Sequence, residues 1–407
     1  MTKQMTREAD IYYDPYDFGI DVDPYPTFRR LRDDAPLYYN EKYDFFALSR
    51  HADVKKASVD WETYKSGHGT ILEFIKGGFS MPPGNILAED PPDHDLHRGL
   101  LSRVFTMRRI AELESKVRAF CQTTLDPLVD RGGFDFIEDF AFSIPMQTIG
   151  MMLGIPDSDQ SEHRQEIDDR MKLEAGEAPA DPVSMMVGLL SPDRFAAYVD
   201  YRRENPSDDL MTDLLNMTYV DADGQSRHLD TAVILNYVGI LAAAGNETTV
   251  RLIGWAGKLL AEHPDQRREL VEDPSLIPAT IEELLRYEAP SPVQARYVDR
   301  DVEHYGTRVP AGSAMLLLTA SANRDERVFD DPDRFDIHRR PRQHLAFGFG
   351  IHHCLGAHLA RLEARVALEE LLKRFPEWDI DWDNAVQAHT STVRGWEKLP
   401  IVTGPTR

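Results

Sequence analysis

Phe347-Gly348-Phe349-Gly350-Ile351-His352-His353-Cys354-Leu355-Gly356 is the stretch on which the reading of this chain turns. Glycines and tight turns lead into a single cysteine. An amphipathic helix follows at once, with Leu359, Leu362, Val366 and Leu372 at helical spacing. A cysteine in that place meets the unpaired N–H groups and positive dipole end of a helix, which favour a thiolate. Gly348, Gly350 and Gly356 allow sharp turns and close backbone approach to a large flat ligand. Taken alone, such a cysteine reads either as a small buried hydrophobe or as a thiolate presented to a metal or an electrophile.

The flanking pattern, Phe-x-x-Gly-x-x-x-Cys-x-Gly with His352 two before the cysteine, is more specific. It resembles the haem-binding loop of the haem-thiolate monooxygenases, the cytochrome P450 family. The resemblance implies a mainly α fold with a small β portion and a haem b (iron protoporphyrin IX) cofactor. It implies Cys354 as the axial ligand of the haem iron, a thiolate whose electron donation favours O–O cleavage.

The composition is compatible. The chain has 407 residues, 42% hydrophobic and 28% charged, as in soluble globular proteins. A formal net charge of −23 argues against nucleic acid or an anionic membrane as the main partner. Two cysteines, Cys121 and Cys354, are too few for a disulfide framework or a Cys-based zinc or iron–sulfur site. Residues 1–10 hold no apolar signal region, and the most apolar run, about 232–245, is interrupted by Asn236 and Tyr237. The expectation is a cytoplasmic protein without stable membrane insertion.

The chain reads as one domain over 1–407, helix-rich over about 93–290, with a β-containing and haem-loop part over about 291–407. Tyr12 to Pro26 reads as irregular surface chain and is followed by a short helix through Phe28, Leu31 and Arg32. Leu37–Tyr39 and Tyr43–Leu48 read as a hairpin, Ser66–Leu87 as a glycine-bearing loop, and His389–Val402 as a second hairpin-like segment. Met171, Met185, Met186, Leu189 and Leu190 form a methionine-rich stripe, either core or lid.

A long helical pattern from about Asp230, a plausible N-cap, to His263 carries Ala244-Gly245-Asn246-Glu247-Thr248-Thr249 midway. Glycine and β-branched hydroxyl residues run against helix propensity, and such local conflicts mark functional sites. The resemblance identifies Glu247 and Thr248 as the acid–alcohol pair beside the oxygen-binding face, with Glu247 where aspartate is commoner. It implies that Thr248 holds water there and Glu247 relays protons, with Thr249 a possible substitute hydroxyl.

Glu283-Leu284-Leu285-Arg286 places an acid and a base on one helix face. The family resemblance implies a buried brace of Glu283 and Arg286 with Arg334 behind the haem. It also implies that His94, Arg98, Arg296 and His352 hold the propionates. His97 and His353 read as bystanders, and neither histidine pair finds a third metal ligand.

The implied reaction inserts one atom of O2 into an apolar small molecule, a terpenoid, steroid or branched lipid. The implied electron donors are a ferredoxin and its ferredoxin reductase, since no nicotinamide or flavin module is visible. Arg108, Arg109, Arg342, Arg361 and Arg365 are candidates for a basic docking face. Ile71, Leu72, Leu241, Ala244, Val293 and Thr392 are candidate substrate-pocket residues, together with the Met171–Leu190 region. A peroxide-driven haem enzyme and a non-catalytic haem sensor or carrier are the alternatives.

Overall fold

The computed structural model describes residues 11–78, 81–156, 192–221, 223–390 and 392–404, so the methionine-rich Met171–Leu190 region lies outside the described residues. The helix Thr231–Glu262, 32 residues long, runs through the main hydrophobic core. Asp230 precedes it with extended backbone, as an N-cap does, although its side chain makes no capping bond. Pro264 opens the next helix, Pro264–Glu272, and so ends this one at His263.

Apolar residues almost all round the long helix let it bury against several partners. Ser143–Leu153, Pro192–Glu204 and Ala357–Arg374 are helices that pack on it, as does the strand Arg394–Lys398. The approach of Ser143–Leu153 is close: a Cβ on Gly245 would lie 2.7 Å from Ile149 Cδ1. The helix Ala357–Arg374, which follows the cysteine loop, packs also on Glu114–Leu125. Arg118, from the latter helix, bridges to Glu369 and Glu370 at 2.7 Å each, and Arg365 to Glu114 at 2.6 Å.

The β portion lies to one side. Its largest sheet has five strands in the order Leu37–Asn40, Phe45–Leu48, Ala314–Leu317, Gln294–Val298 and Tyr64–Lys65. The first two form the expected hairpin, in register Leu37↔Leu48. Ala314–Leu317 runs parallel to Phe45–Leu48, and every one of its residues is buried, as for a strand covered on both faces. Gln294–Val298 thereby carries Arg296 inward from the middle of the sheet.

Three local expectations are corrected. Within Tyr12–Pro26, Phe18–Val22 is a helical turn, because Asp17 Oδ1 caps Gly19 N at 2.8 Å. Within Ser66–Leu87, Leu72–Gly77 is a helix closed by Gly78 at φ +66°. The segment His389–Val402 is split between two sheets: Val386–His389 pairs with Arg394–Lys398, and Pro400–Thr403 joins Trp378–Ile380 and Gly133–Asp135. No helix among the described residues is long and apolar enough to cross a membrane.

Candidate active site

Cys354 stands just before the helix Ala357–Arg374, and its own N–H donates to Phe347 O at 2.8 Å, which closes the loop. Its side chain is exposed although protein surrounds it. Burial pushes the thiol pKa up; the Gly356 N–H and the Arg98 and Arg361 guanidiniums pull it down. Gly348 and Gly350 take positive φ, +69° and +76°, which glycine tolerates best. The close approach at Gly350 is not to a ligand, however. A Cβ there would lie 2.6 Å from Ser58 O, so this glycine seats the loop on the helix His51–Val59. Gly356 has an ordinary φ of −82°.

Opposite polar and apolar groups line a cleft of about 230 Å³. The long helix contributes Ile240, Ala243, Ala244, Glu247 and Thr248, the i, i+3, i+4, i+7, i+8 set of a single helix face. Ile71, Val293 and Thr392 line the same cleft, as expected. Two expected wall residues do not. Leu241, about 100° round the helix from Ile240, is buried in the main core. Leu72 enters the core beside Phe28 and Leu316, while its neighbour Ile71 faces the cleft.

Glu247 is buried, and Arg251, one turn on, donates to its Oε1 at 3.1 Å. Arg251 is itself held by the Trp396 carbonyl. Thr248 Oγ1 donates to Ala244 O at 2.9 Å. Thr249 is turned away: it is buried, and its hydroxyl, like that of Thr148, favours the charged form of Glu363 on the cysteine helix. Glu363 is fully buried, and its carboxyl is pushed up to about 8 by burial. Sequence reasoning missed Glu363, although its place between Leu362 and Val366 puts an acid on an apolar helix face.

His94, Arg98, Arg296 and His352 converge from three elements. His94 and Arg98 share a face of the helix Asp93–Ser102, Arg296 comes from the sheet, and His352 from the turn Gly350–His352. The rings of His94 and His352 lie 4.3 Å apart between centroids. Neither nitrogen of His94, nor Nε2 of His352, has a hydrogen-bond partner, though all are buried. Burial, then the positive charges of Arg296, His94 and Arg98, hold the His352 imidazole down to about 3. Asp90 near Arg296, and Asp95 and Glu89 near His94, offset part of this charge. Buried orphan nitrogens among guanidiniums suit an anionic partner.

The brace is present with one member exchanged. Glu283 and Arg286 are fully buried and doubly bonded, at 2.7 and 2.8 Å. Arg334 does not join with its side chain, which is 68% exposed; it offers its carbonyl to Arg286 Nη2 at 3.3 Å. Arg339 takes its place, donating from Nε to Glu283 Oε1 at 3.1 Å. Arg334 closes a turn, its N–H donating to Asp331 O at 3.2 Å, with its side chain outward, which the Glu-x-x-Arg spacing could not reveal. The basic face is also thinner than expected. Arg109 pairs with Asp213, Arg361 with Glu282, Arg365 with Glu114 and Glu369, and Arg108 lies 3.8 Å from Glu112.

Comparison with known proteins agrees with this geometry. The cytochrome P450 family model matches residues 193–392. The chain is similar to cytochrome P450 123 of Mycobacterium tuberculosis, 40% identical over 396 residues and 97% of each chain. It is also similar to the vitamin D(3) 25-hydroxylase of Pseudonocardia autotrophica, 36% identical over 388 residues and 94% of each chain. Among solved structures, a mutant of P450 EryK in complex with erythromycin B matches with a TM-score of 0.85 at 32% identity, covering 95% of this chain and 97% of that one. Kinship of that extent, over a fold in which His352 of the cysteine loop and the Glu247–Thr248 helix face line one cleft, means that the chain belongs to the cytochrome P450 family, the haem-dependent monooxygenases.

Proposed function

We propose that this P450 hydroxylates an apolar terpenoid, steroid or branched lipid, with electrons from a ferredoxin and its reductase in the cytoplasm. The observation that carries the reading is the lining of the cleft: Ile71, Phe74, Met81, Leu87, Ile240, Ala244 and Val293 make it largely apolar beside Glu247 and Thr248. The relative named for vitamin D(3) 25-hydroxylation supports a substrate of this kind.

The family's haem fits the residues present. Cys354 would ligate its iron, and His94, Arg98, Arg296 and His352 would pair with its two propionates, which supply the anions their orphan nitrogens lack. When bound, the haem supplies activation of O2, one atom going to the substrate and the other to water. The remaining work falls to the chain. Thr248 Oγ1 gives its proton to Ala244 O, so its lone pairs can accept a hydrogen bond from water in the cleft. Arg251 fixes the orientation of Glu247, the residue before Thr248, where the carboxylate can exchange a proton with that water. The apolar walls exclude bulk water.

Spectral titration of the haem-loaded protein with terpenoids, steroids, branched lipids and charged aromatic acids tests the proposal. The first three classes should displace iron-bound water, and ferredoxin-driven turnover should then give a hydroxylated product. A response to the charged acids alone refutes the substrate reading; turnover with peroxide but never with a ferredoxin system refutes the partner.

A further inference from the structure

Two polar groups of the cleft take no part in the chemistry above. Asn85 lines the cleft and is 8% exposed. Its Nδ2 reaches the Met81 sulfur at 3.9 Å, a weak acceptor, and its Oδ1 has no hydrogen-bond partner. Thr392, in the turn that joins Val386–His389 to Arg394–Lys398, lines the same cleft. Its Oγ1 is likewise withdrawn from solvent and without a partner.

Asn85 cannot easily swing away to find one. Glu89 Oε1 holds the Gly84 N–H at 2.6 Å, and Asn236, from the long helix, donates to Pro83 O at 2.8 Å. Both contacts hold the chain just before Asn85, and the Ala88 N–H, donating to Asn85 O at 2.8 Å, holds it just after. Glu89 is itself fixed by His97 Nδ1 at 2.8 Å, which gives a structural task to a histidine read as a bystander.

A buried amide carbonyl and a buried hydroxyl are costly to leave unpaired. A pure hydrocarbon filling the cleft would seal both in that state. A ligand hydroxyl can donate to Asn85 Oδ1 and exchange a hydrogen bond with Thr392 Oγ1. We infer that the substrate already carries a hydroxyl group, held by Asn85 and Thr392, on its otherwise apolar skeleton before this enzyme adds its own oxygen. The inference rests on the apolar-substrate reading and narrows it. It places the enzyme after a step that leaves an alcohol, whether hydroxylation, hydration, carbonyl reduction or hydrolysis, because the substrate it selects is already one.

The test is spectral titration of the haem-loaded protein with matched pairs: androstane and androstanol, drimane and drimanol, phytane and phytanol. The wild-type protein should bind the alcohol of at least one pair on the order of tenfold more tightly than its hydrocarbon. Asn85→Leu and Thr392→Val should each reduce that ratio towards one, with hydrocarbon affinity retained. Equal affinities within every responding pair, or a ratio that both variants leave unaltered, overturn the hydroxyl inference alone. A spectrum that responds to no member of any pair overturns the apolar-substrate reading, and this inference with it.

Discussion

Glu283 is the place where a single atom exchange should be most informative about the brace. Its carboxylate accepts four hydrogen bonds: from Arg286 Nε at 2.7 Å and Nη2 at 2.8 Å, and from Arg339 Nε and Asp336 N at 3.1 Å each. Glu283→Gln keeps the shape but turns one oxygen into a donor. Whichever way the amide is set, that donor faces an arginine N–H, and Arg286 loses its counter-charge in a fully buried position. Breaking one partner of a buried pair costs about 3–5 kcal/mol. Arg286 keeps bonds to the Asn323, Pro332 and Arg334 carbonyls, which favours the lower end, about 3 kcal/mol.

The same reasoning ranks two further variants. Arg339→Met removes one charge-assisted bond to Glu283 from a side chain 17% exposed, worth about 1.5–3 kcal/mol before screening. Arg334→Met touches a side chain 68% exposed whose nearest carboxylate, on Asp336, lies 4.0 Å away, so the change stays within about 0.5 kcal/mol. With unfolding entropy of about 2.1 cal/mol/K per residue, the 407-residue chain loses about 1 °C per 0.9 kcal/mol. Thermal unfolding of the haem-loaded variants, followed by circular dichroism, should then shift by about 3 °C or more for Glu283→Gln, less for Arg339→Met and under about 1 °C for Arg334→Met. An Arg334→Met shift equal to that of Arg339→Met would refute the exchange of roles.

Thr248→Ala should divert reducing equivalents into free peroxide, whereas Thr249→Ala should keep product yield and lower heat stability by depriving Glu363 of a partner; product per electron pair consumed distinguishes them, and the opposite pattern would assign the hydroxyl to Thr249. Because burial holds the Glu363 carboxyl at about 8 against an ordinary 4.5, the folded chain keeps between those values a proton that the unfolded chain has lost. Stability should therefore fall as pH rises from about 4.5 to about 8 and level off above, and Glu363→Gln should flatten that part of the urea-midpoint profile; parallel profiles would count against it. Arg342 is exposed and has no ion pair among the described residues, so Arg342→Glu should slow ferredoxin-driven turnover most at low salt, while Arg365→Glu, which breaks pairs with Glu114 and Glu369, should chiefly lower heat stability. Salt-independent kinetics for Arg342→Glu would remove it from the docking face.

Periodicity made the long helix and the cysteine loop legible, because both are local patterns with strong ends: Asp230 and Pro264 for the one, glycines at positive φ for the other. The direction of single side chains was less so. Leu241 and Thr249 each stand one residue, about 100°, from neighbours that line the cleft, and a list of nearby residues does not resolve that angle. The face Ile240, Ala244, Glu247, Thr248 does resolve it, since a substrate-facing set must recur at three and four residues. Arg334 and Arg339 illustrate a harder limit. Which of two arginines reaches Glu283 depends on the turn between them, and no spacing rule encodes that.

The middle of the long helix shows how one kind of sequence signal divides into several physical causes. Gly245, Asn246 and Thr249 stand beside Glu247 and Thr248 in a segment marked by poor choices for a helix interior, its glycine and threonines above all, whereas Glu247, a good helix former, stands out as an acid in an apolar helix. Gly245 is there because Ile149 leaves no room for a Cβ. Asn246 bonds back to Ala242 O at 2.7 Å, and Thr249 is buried with its hydroxyl acting on Glu363. Glu247 and Thr248 alone among these five line the cleft. Local conflict therefore locates the segment where the core must admit polar chemistry, but helical phase assigns the tasks. The face towards the cleft takes the acid and the alcohol, and the faces towards the neighbouring helices take the glycine and the buried threonine. A single helix can carry both because its residues one step apart answer to different surroundings.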